Sequence, residues 1–333
     1  MTVADPPIPV VDLSPWVSGE ERTVARLAAG VDHACRSVGF LIVTGHGVDP
    51  ALVDEARAVT AAFFALPLEV KRRATIPTDP SRGFAAFAQT NLAASYGVEA
   101  PPDLKETFTV GPVGRHDPAY MAAGGPFFLP NAWPEEPASF REVWIAYYAA
   151  MEQLATALMR LFAVALGLPA RWFDDKIDRH ITYLTAQHYP PLPDPPAPGQ
   201  LRAGAHSDFG SLTILQRDTA PGGLQVRVGD RWVEAPHVPG SFTINLGDLM
   251  ADWTNDRWVS TVHRVVPPPG IGDARSDRLS LTFFHQPNYD AVISALPTCP
   301  PPPGAAPKAP VRSGEHFLRK LTAVRAGAGR HEA

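Results

Sequence analysis

His206, Asp208 and His263, followed by Arg278 and Ser280, are the residues of this chain whose types and order could do chemistry. Two imidazoles and one carboxylate form a ligand set that holds a divalent iron on one face and leaves the opposite face open. An arginine and a hydroxyl two residues apart are groups that grip a carboxylate. Three protein ligands leave about three coordination positions, enough for a chelating 2-oxo acid and O2. A structural zinc site would instead close with a fourth protein ligand. A lone histidine on a strand is more often structural than a ligand, and His-x-Asp alone is a weak signal. A later histidine and an Arg-x-Ser pair make independent requirements agree in order and facing.

Strands are the elements that would position these groups. Residues i and i+2 of a strand point to the same face. His206 and Asp208 are therefore expected to project together, with Ser207 turned away. In the run 278–284, Arg278, Ser280, Thr282 and Phe284 share one face, and Leu279, Leu281 and Phe283 the other. Such a strand lines a polar interior and packs an apolar back against helices. Further short β runs are predicted at 181–189, 211–217, 224–228, 232–235, 241–246, 258–266 and 278–286, with turns such as Pro221-Gly-Gly and Gly229-Asp230 between them. Many short strands with regular turns mean a sandwich or barrel. Earlier in the chain the pattern predicts a strand at 8–13, a helix over 20–38, a strand at 40–44, a helix over 50–66 and, over 77–112, mostly loop with short extended pieces. Residues 138–166 carry neither Pro nor Gly and predict one long helix, stopped by Gly167 and Pro169. A last helix is expected over 315–325.

Composition narrows the function. The 333 residues, 45% hydrophobic, suffice to bury a core. A net charge of −5 argues against a nucleic-acid partner. No apolar run has the length of a membrane span. The opening Met-Thr-Val-Ala-Asp-Pro-Pro lacks a basic segment followed by an apolar one, so no signal peptide is expected. Cys35 and Cys299 lie far apart and are expected to be reduced, in a cytoplasmic protein. The 37 prolines concentrate in 190–198, 267–269 and 297–310, which cannot be helix interiors or central strands and are expected as loops.

Several segments together resemble the isopenicillin N synthase-like branch of the 2-oxoglutarate and Fe(II)-dependent dioxygenases. They are Gly204-Ala-His-Ser-Asp-Phe-Gly-Ser-Leu-Thr-Ile-Leu-Gln216, Asn245-Leu-Gly-Asp-Leu-Met, Ser260-Thr-Val-His-Arg-Val265 and Arg278-Leu-Ser-Leu-Thr-Phe-Phe-His-Gln-Pro-Asn288. Ile8-Pro-Val-Val-Asp-Leu and Gly39-Phe-Leu-Ile-Val-Thr-Gly-His-Gly47 are similar to the family's opening. The resemblance covers nearly the whole chain. It implies a mainly β fold with surrounding α-helices and a double-stranded β-helix (jelly-roll) core. The expected layout is one domain over 1–333: an N-terminal α/β region (1–135), the long helix and its connection (136–180), the jelly-roll oxygenase core (181–290) and a C-terminal loop and helix (291–333). It further implies Fe(II) on His206, Asp208 and His263, the distal carboxylate of 2-oxoglutarate on Arg278 and Ser280, and a phenolic hydrogen bond to the co-substrate from Tyr189 of Gln187-His-Tyr-Pro190. Gln187 stands where the family has an asparagine.

The implied reaction consumes 2-oxoglutarate and O2, releases succinate and CO2, and oxidises an unactivated C–H of a small molecule, with hydroxylation the default outcome. Asp208 argues against a halogenase, in which a small residue makes room for halide. An isopenicillin N synthase-type oxidase or cyclase that needs no 2-oxoglutarate is the alternative, as is ethylene-forming breakdown of 2-oxoglutarate. A non-enzymatic metal-binding jelly roll is the distant one. His46, His188, His237 and His285 are expected to be structural, and Asn245 and Asp248 to organise the turn before the strand of His263. Phe284, on the Arg278 face, and Phe84, Phe87 and Gln89, after Arg82-Gly83, are candidate substrate contacts. Substrate identity and oligomeric state stay open.

Overall fold

The computed structural model describes residues 8–19, 21–79, 81–96, 100–114, 116–270, 272–301, 304, 306 and 308–328. The opening heptapeptide, the helix start expected at Glu20 and parts of the proline-rich 297–310 segment lie outside the described residues.

Two sheets are built from β1 (Val10–Asp12), β2 (Phe40–Thr44), β3 (Gly83–Ala85), β4 (Glu106–Val110), β5 (Tyr183–Tyr189), β6 (Ala203–His206), β7 (Leu212–Arg217), β8 (Gly223–Val228), β9 (Arg231–Glu234), β10 (Phe242–Leu246), β11 (His263–Val266) and β12 (Arg278–His285). The larger sheet runs β1-β2-β10-β7-β12-β5-β4-β3, and the smaller β6-β11-β8-β9. Side chains of both sheets line one cavity between them, as a double-stranded β-helix requires.

The alternation that the sequence shows decides which face is buried against what. Leu184 and Ala186 of β5, Ile214 of β7, Ile244 and Leu246 of β10, and Leu281 and Phe283 of β12 join one apolar core on the outer face of the larger sheet. Helix Phe140–Ala165 covers that face with Tyr147, Tyr148, Met151, Leu154, Leu158 and Phe162, spaced at helical period. Burying each such side chain contributes about 1.5–3 kcal/mol. The helix ends in a Schellman motif. Gly167 turns left-handed (φ +73°), and the Leu168 and Gly167 amides donate to Ala163 and Val164 carbonyls. Between the sheets, Phe40 and Ile42 of β2 meet Leu224 and Val226 of β8, so that part of the sandwich closes with hydrocarbon. The remaining inner positions are free to be polar.

Two sequence expectations change. The strand expected at 258–266 is only β11, because Trp258 leaves the sheet to pack edge-on against Phe162. Second, β6 ends at His206, so Asp208 lies in the loop beyond rather than on the same strand. Within 77–112, read as mostly loop with short extended pieces, the extended pieces are β3 and β4, the latter buried throughout. A charged residue is unusual in a buried strand, but at Glu106 the Lys71 Nζ lies 2.8 Å from the carboxylate and His188 Nδ1 also 2.8 Å.

Candidate active site

Strand register brings the sequence-predicted residues together. His263 of β11 pairs directly with His206 of β6. On β12, Arg278 lies opposite Tyr189, and Ser280 lies opposite Gln187 on one side and Arg217 on the other. His206, Asp208 and His263 present ligand atoms that all lie within 4.8 Å of one another. Both imidazole Nε2 atoms are 3.7 Å from Asp208 Oδ1. Asp208 reaches this point from its loop because its backbone carbonyl accepts from the Asp248 amide at 2.8 Å. Facing by strand alternation is therefore replaced by a hydrogen-bonded turn.

Hydrogen bonding leaves one lone pair on each of these groups uncommitted. His206 Nδ1 donates to the Gly204 carbonyl at 2.7 Å and His263 Nδ1 to the Thr261 carbonyl at 3.1 Å, which puts the free lone pair of each ring on Nε2. Burial, with the neighbouring His263 as the second cause, pushes His206 down to about 3, so its ring is neutral. Asp208 divides its two oxygens. Oδ2 accepts from Thr213 Oγ1 at 2.5 Å and from Asn245 Nδ2 at 2.6 Å, while Oδ1 faces the two imidazoles. Thr213 and Asn245 are themselves cross-strand partners in β7 and β10. Burial disfavours the Asp208 charge, but the two imidazoles and these two donors hold its carboxyl below the usual range. The donor set is thus two imidazole nitrogens and one carboxylate oxygen, on one side of an open position. That fits a divalent iron with exogenous ligands.

Arg278, Ser280, Tyr189 and Gln187 line a narrow cavity of about 50 Å³ together with all three of these groups. Arg278 is buried. Its Nη2 donates to the carbonyls of Ala220 and Gly222, the latter at 2.9 Å, and Nη1 lies 3.6 Å from Asp218. Gly223 (φ +143°) runs so close beneath it that a Cβ there would sit 3.0 Å from Nη2. Arg278 Nε is buried with no partner among the described residues, an orphan donor of the kind a carboxylate satisfies. Tyr189 Oη donates to Gln187 Oε1, and burial raises its phenol pKa, so the hydroxyl keeps its proton. Arg217, which the sequence did not single out, lines the same cavity, and burial lowers it to about 10. Its inward facing follows from the Thr213, Leu215, Arg217 alternation.

A second cavity, of about 620 Å³, shares His206, Asp208, Gln187 and Phe284 with the first. Phe84 and Gln89 line it. Phe87 does not, and is 42% exposed. Phe209, Phe317 and Lys105 line it without any sequence signal having marked them. Of the four histidines expected to be structural, three have fixed partners and His237 is exposed. His188 bonds Glu106 and Asp277, both at 2.8 Å; His285 meets Ser211 Oγ at 2.6 Å; and His46 meets the Gly240 carbonyl at 2.9 Å. Asn245 is corrected from a turn organiser to a donor that orients Asp208. Asp248 does hold the turn, accepting from Ser207 and Ser260 at 2.7 and 2.8 Å.

Comparison with known proteins shows the family. The 2OG-Fe(II) oxygenase superfamily profile matches residues 181–287, and the N-terminal profile described as non-haem dioxygenase in morphine synthesis matches residues 8–136. Validamycin A dioxygenase of Streptomyces hygroscopicus subsp. limoneus is 34% identical over 318 residues, covering 94% of this chain and 85% of that protein. A homoarginine-6-hydroxylase of Arabidopsis thaliana is 30% identical over 307 residues, 88% of each chain. Among solved structures, a full-length Neurospora crassa protein in complex with alpha-KG and thymine superposes with a TM-score of 0.81 at 30% identity, over 95% of this chain and 96% of that one. The chain is therefore a member of the 2-oxoglutarate and Fe(II)-dependent oxygenase superfamily, a dioxygenase that oxidises a small molecule.

Proposed function

We propose that His206, Asp208 and His263 hold Fe(II), that Arg278 and Ser280 take the distal carboxylate of 2-oxoglutarate, and that the larger cavity takes a small molecule for hydroxylation. The overall change is C–H plus 2-oxoglutarate plus O2 giving C–OH plus succinate plus CO2. One observation carries the reading: His206 and Asp208 stand at the junction of a narrow pocket, which His263 also lines and which ends in a buried arginine, and a wide chamber. Iron with 2-oxoglutarate and O2 supplies an oxidant able to attack an unactivated C–H.

The chain's own residues do the positioning. Gly204 and Thr261 carbonyls fix the histidine tautomers, and Thr213 with Asn245 keeps one Asp208 oxygen from turning inward. Arg278 is held by backbone carbonyls, so it meets a carboxylate without first being ordered. Tyr189 and Gln187, hydrogen-bonded to each other, offer a hydroxyl and an amide beside the co-substrate. Phe284 lies on the boundary of both cavities and separates co-substrate from substrate, with Phe84 and Gln89 on the substrate side.

We place the protein in the cytoplasm, without nucleic-acid or membrane partners. Both cysteines are buried and free, net charge is −5, and no helix among the described residues is long and apolar enough to cross a membrane. The test of function is anaerobic titration with Fe(II) and then 2-oxoglutarate. The expected result is a visible charge-transfer band, and succinate formed in step with product once O2 and a substrate are admitted. Absence of the band overturns 2-oxoglutarate use; product without succinate points to an oxidase of the isopenicillin N synthase type.

A further inference from the structure

Lys105 is a buried cation that the chemistry so far leaves unused. It precedes β4, and by strand alternation it shares a face with Thr107 and Thr109; all three line the larger cavity along with His206 and Asp208. Its side chain is 4% exposed. An ammonium has three donors to satisfy, and burying one with poor partners is costly. Its ion-pair partner is Asp103, at 3.7 Å. Asp103 is already committed elsewhere: it accepts from the Gly204 amide at 2.8 Å, the Leu92 amide at 3.1 Å and Thr90 Oγ1 at 3.3 Å. Lys71, the other buried lysine, shows what a closed site looks like in this fold, with contacts of 2.8 and 3.0 Å to Glu106 and 3.0 Å to the Phe64 carbonyl. Lys105 is thus held in place from behind and open in front. Around the same cavity, Phe84, Phe209, Phe284 and Phe317 supply an apolar wall.

We propose that Lys105 is the substrate anchor, and that the substrate is an organic acid whose carboxylate pairs with this ammonium while its hydrocarbon body packs on the phenylalanines. This rests on the Fe(II) and 2-oxoglutarate reading above. It makes Lys105 a specificity-determining residue and assigns the co-substrate and substrate carboxylates to different cations, Arg278 and Lys105.

The test uses straight-chain and phenyl-substituted carboxylic acids, each paired with its primary amide, added to the full-length protein with Fe(II) and 2-oxoglutarate. Binding is read anaerobically from the shift of the visible band and by calorimetry, and turnover from succinate release. Acids are expected to bind and stimulate where their amides do not. Lys105→Met should weaken acid binding about 10- to 100-fold, the value of a hydrogen bond to a charged group, and Lys105→Arg should recover most of it. Equal binding of acids and amides by the wild-type protein overturns the proposal without any variant, as does a panel in which no acid registers, or a Lys105→Met protein that keeps the acid preference. A purely structural role for Lys105 would lower the melting temperature of Lys105→Met but leave the acid-to-amide ratio where it was. A wild-type protein that forms no band, yet binds acids by calorimetry and loses them in Lys105→Met, refutes the 2-oxoglutarate reading and leaves this one standing.

Discussion

Replacing Thr213 with valine tests how Asp208 is held. The Thr213 hydroxyl and the Asn245 amide donate to the same carboxylate oxygen at 2.5 and 2.6 Å, and all three residues are buried. Valine keeps the β-branched shape and its strand rotamer, so the change removes one donor and little else. A hydrogen bond to a charged acceptor contributes about 1.5–3 kcal/mol, and its loss leaves a desolvated oxygen with one partner instead of two. That corresponds to about 10- to 100-fold in an equilibrium constant, the range typical when the outer partner of a metal ligand is removed. The assay is anaerobic Fe(II) titration at saturating 2-oxoglutarate, read from the visible band, beside thermal melting of the metal-free protein. The metal-free melt is needed because Asp208 is buried with or without iron, so part of the loss falls on folding. Fe(II) affinity within a factor of two of wild type (well short of about tenfold), with unchanged succinate formation, would refute the reasoning.

Two further changes probe the neighbouring layers. Arg278→Lys keeps the charge but loses the planar donor fork, so the 2-oxoglutarate concentration at half-maximal band intensity should rise about 10- to 100-fold; an unchanged midpoint counts against Arg278 as the clamp. Glu106 reports on folding. Burial opposes its charge, but hydrogen bonds from His188 and Lys71 outweigh that and hold its carboxyl below the ordinary value of 4.5. A folded-state pKa below the unfolded one gives stability that is full above about 4.5 and lost as pH falls through the folded value. Wild type should therefore exceed Glu106→Gln in urea midpoint near neutrality, with the gap closing in acid, and a gap constant across that range would contradict the assignment.

Strand periodicity made the larger sheet readable. Arg278, Ser280, Thr282 and Phe284 alternate with Leu279, Leu281 and Phe283, and β12 does face the cavity with the first set and the helix Phe140–Ala165 core with the second. Elements whose reason is non-local were not readable. Within 77–112 only short extended pieces without bounds were legible, because what pairs Glu106 in β4 comes from Lys71 and His188, far off in the chain. Asn245 looked like a turn residue because its bond to Asp208 exists only once β10 pairs with β7 in the register that sets it opposite Thr213. Periodicity even misled in part: His206 and Asp208 do converge, but through a turn held by Asp248 rather than by alternation on one strand.

The same distinction separates the two cavities. The narrow one is walled by strands of the two sheets, where each inward residue has a fixed cross-strand neighbour, so its chemistry follows from i, i+2 spacing and register. The wide one draws on residues 75–92, on β4, on Phe209 and on Phe317 of helix Ser313–Ala328, segments with no common period. The two imidazoles and Arg278 are held by carbonyls of the barrel itself, so selectivity can be altered at Phe84, Gln89 or Phe317 while oxidising capacity is kept. Other residues tie the two cavities together: Thr90, Leu92 and Lys105 all meet Asp103, which accepts the amide of Gly204, whose carbonyl fixes the tautomer of His206. Lys320, on the helix of Phe317, lies 2.7 Å from Asp248, which holds the Asp208 turn. On the proposal made for Lys105, a carboxylate drawn to it would be placed at a set distance from His206, and the carbon to be oxidised would be chosen by the length of chain between them.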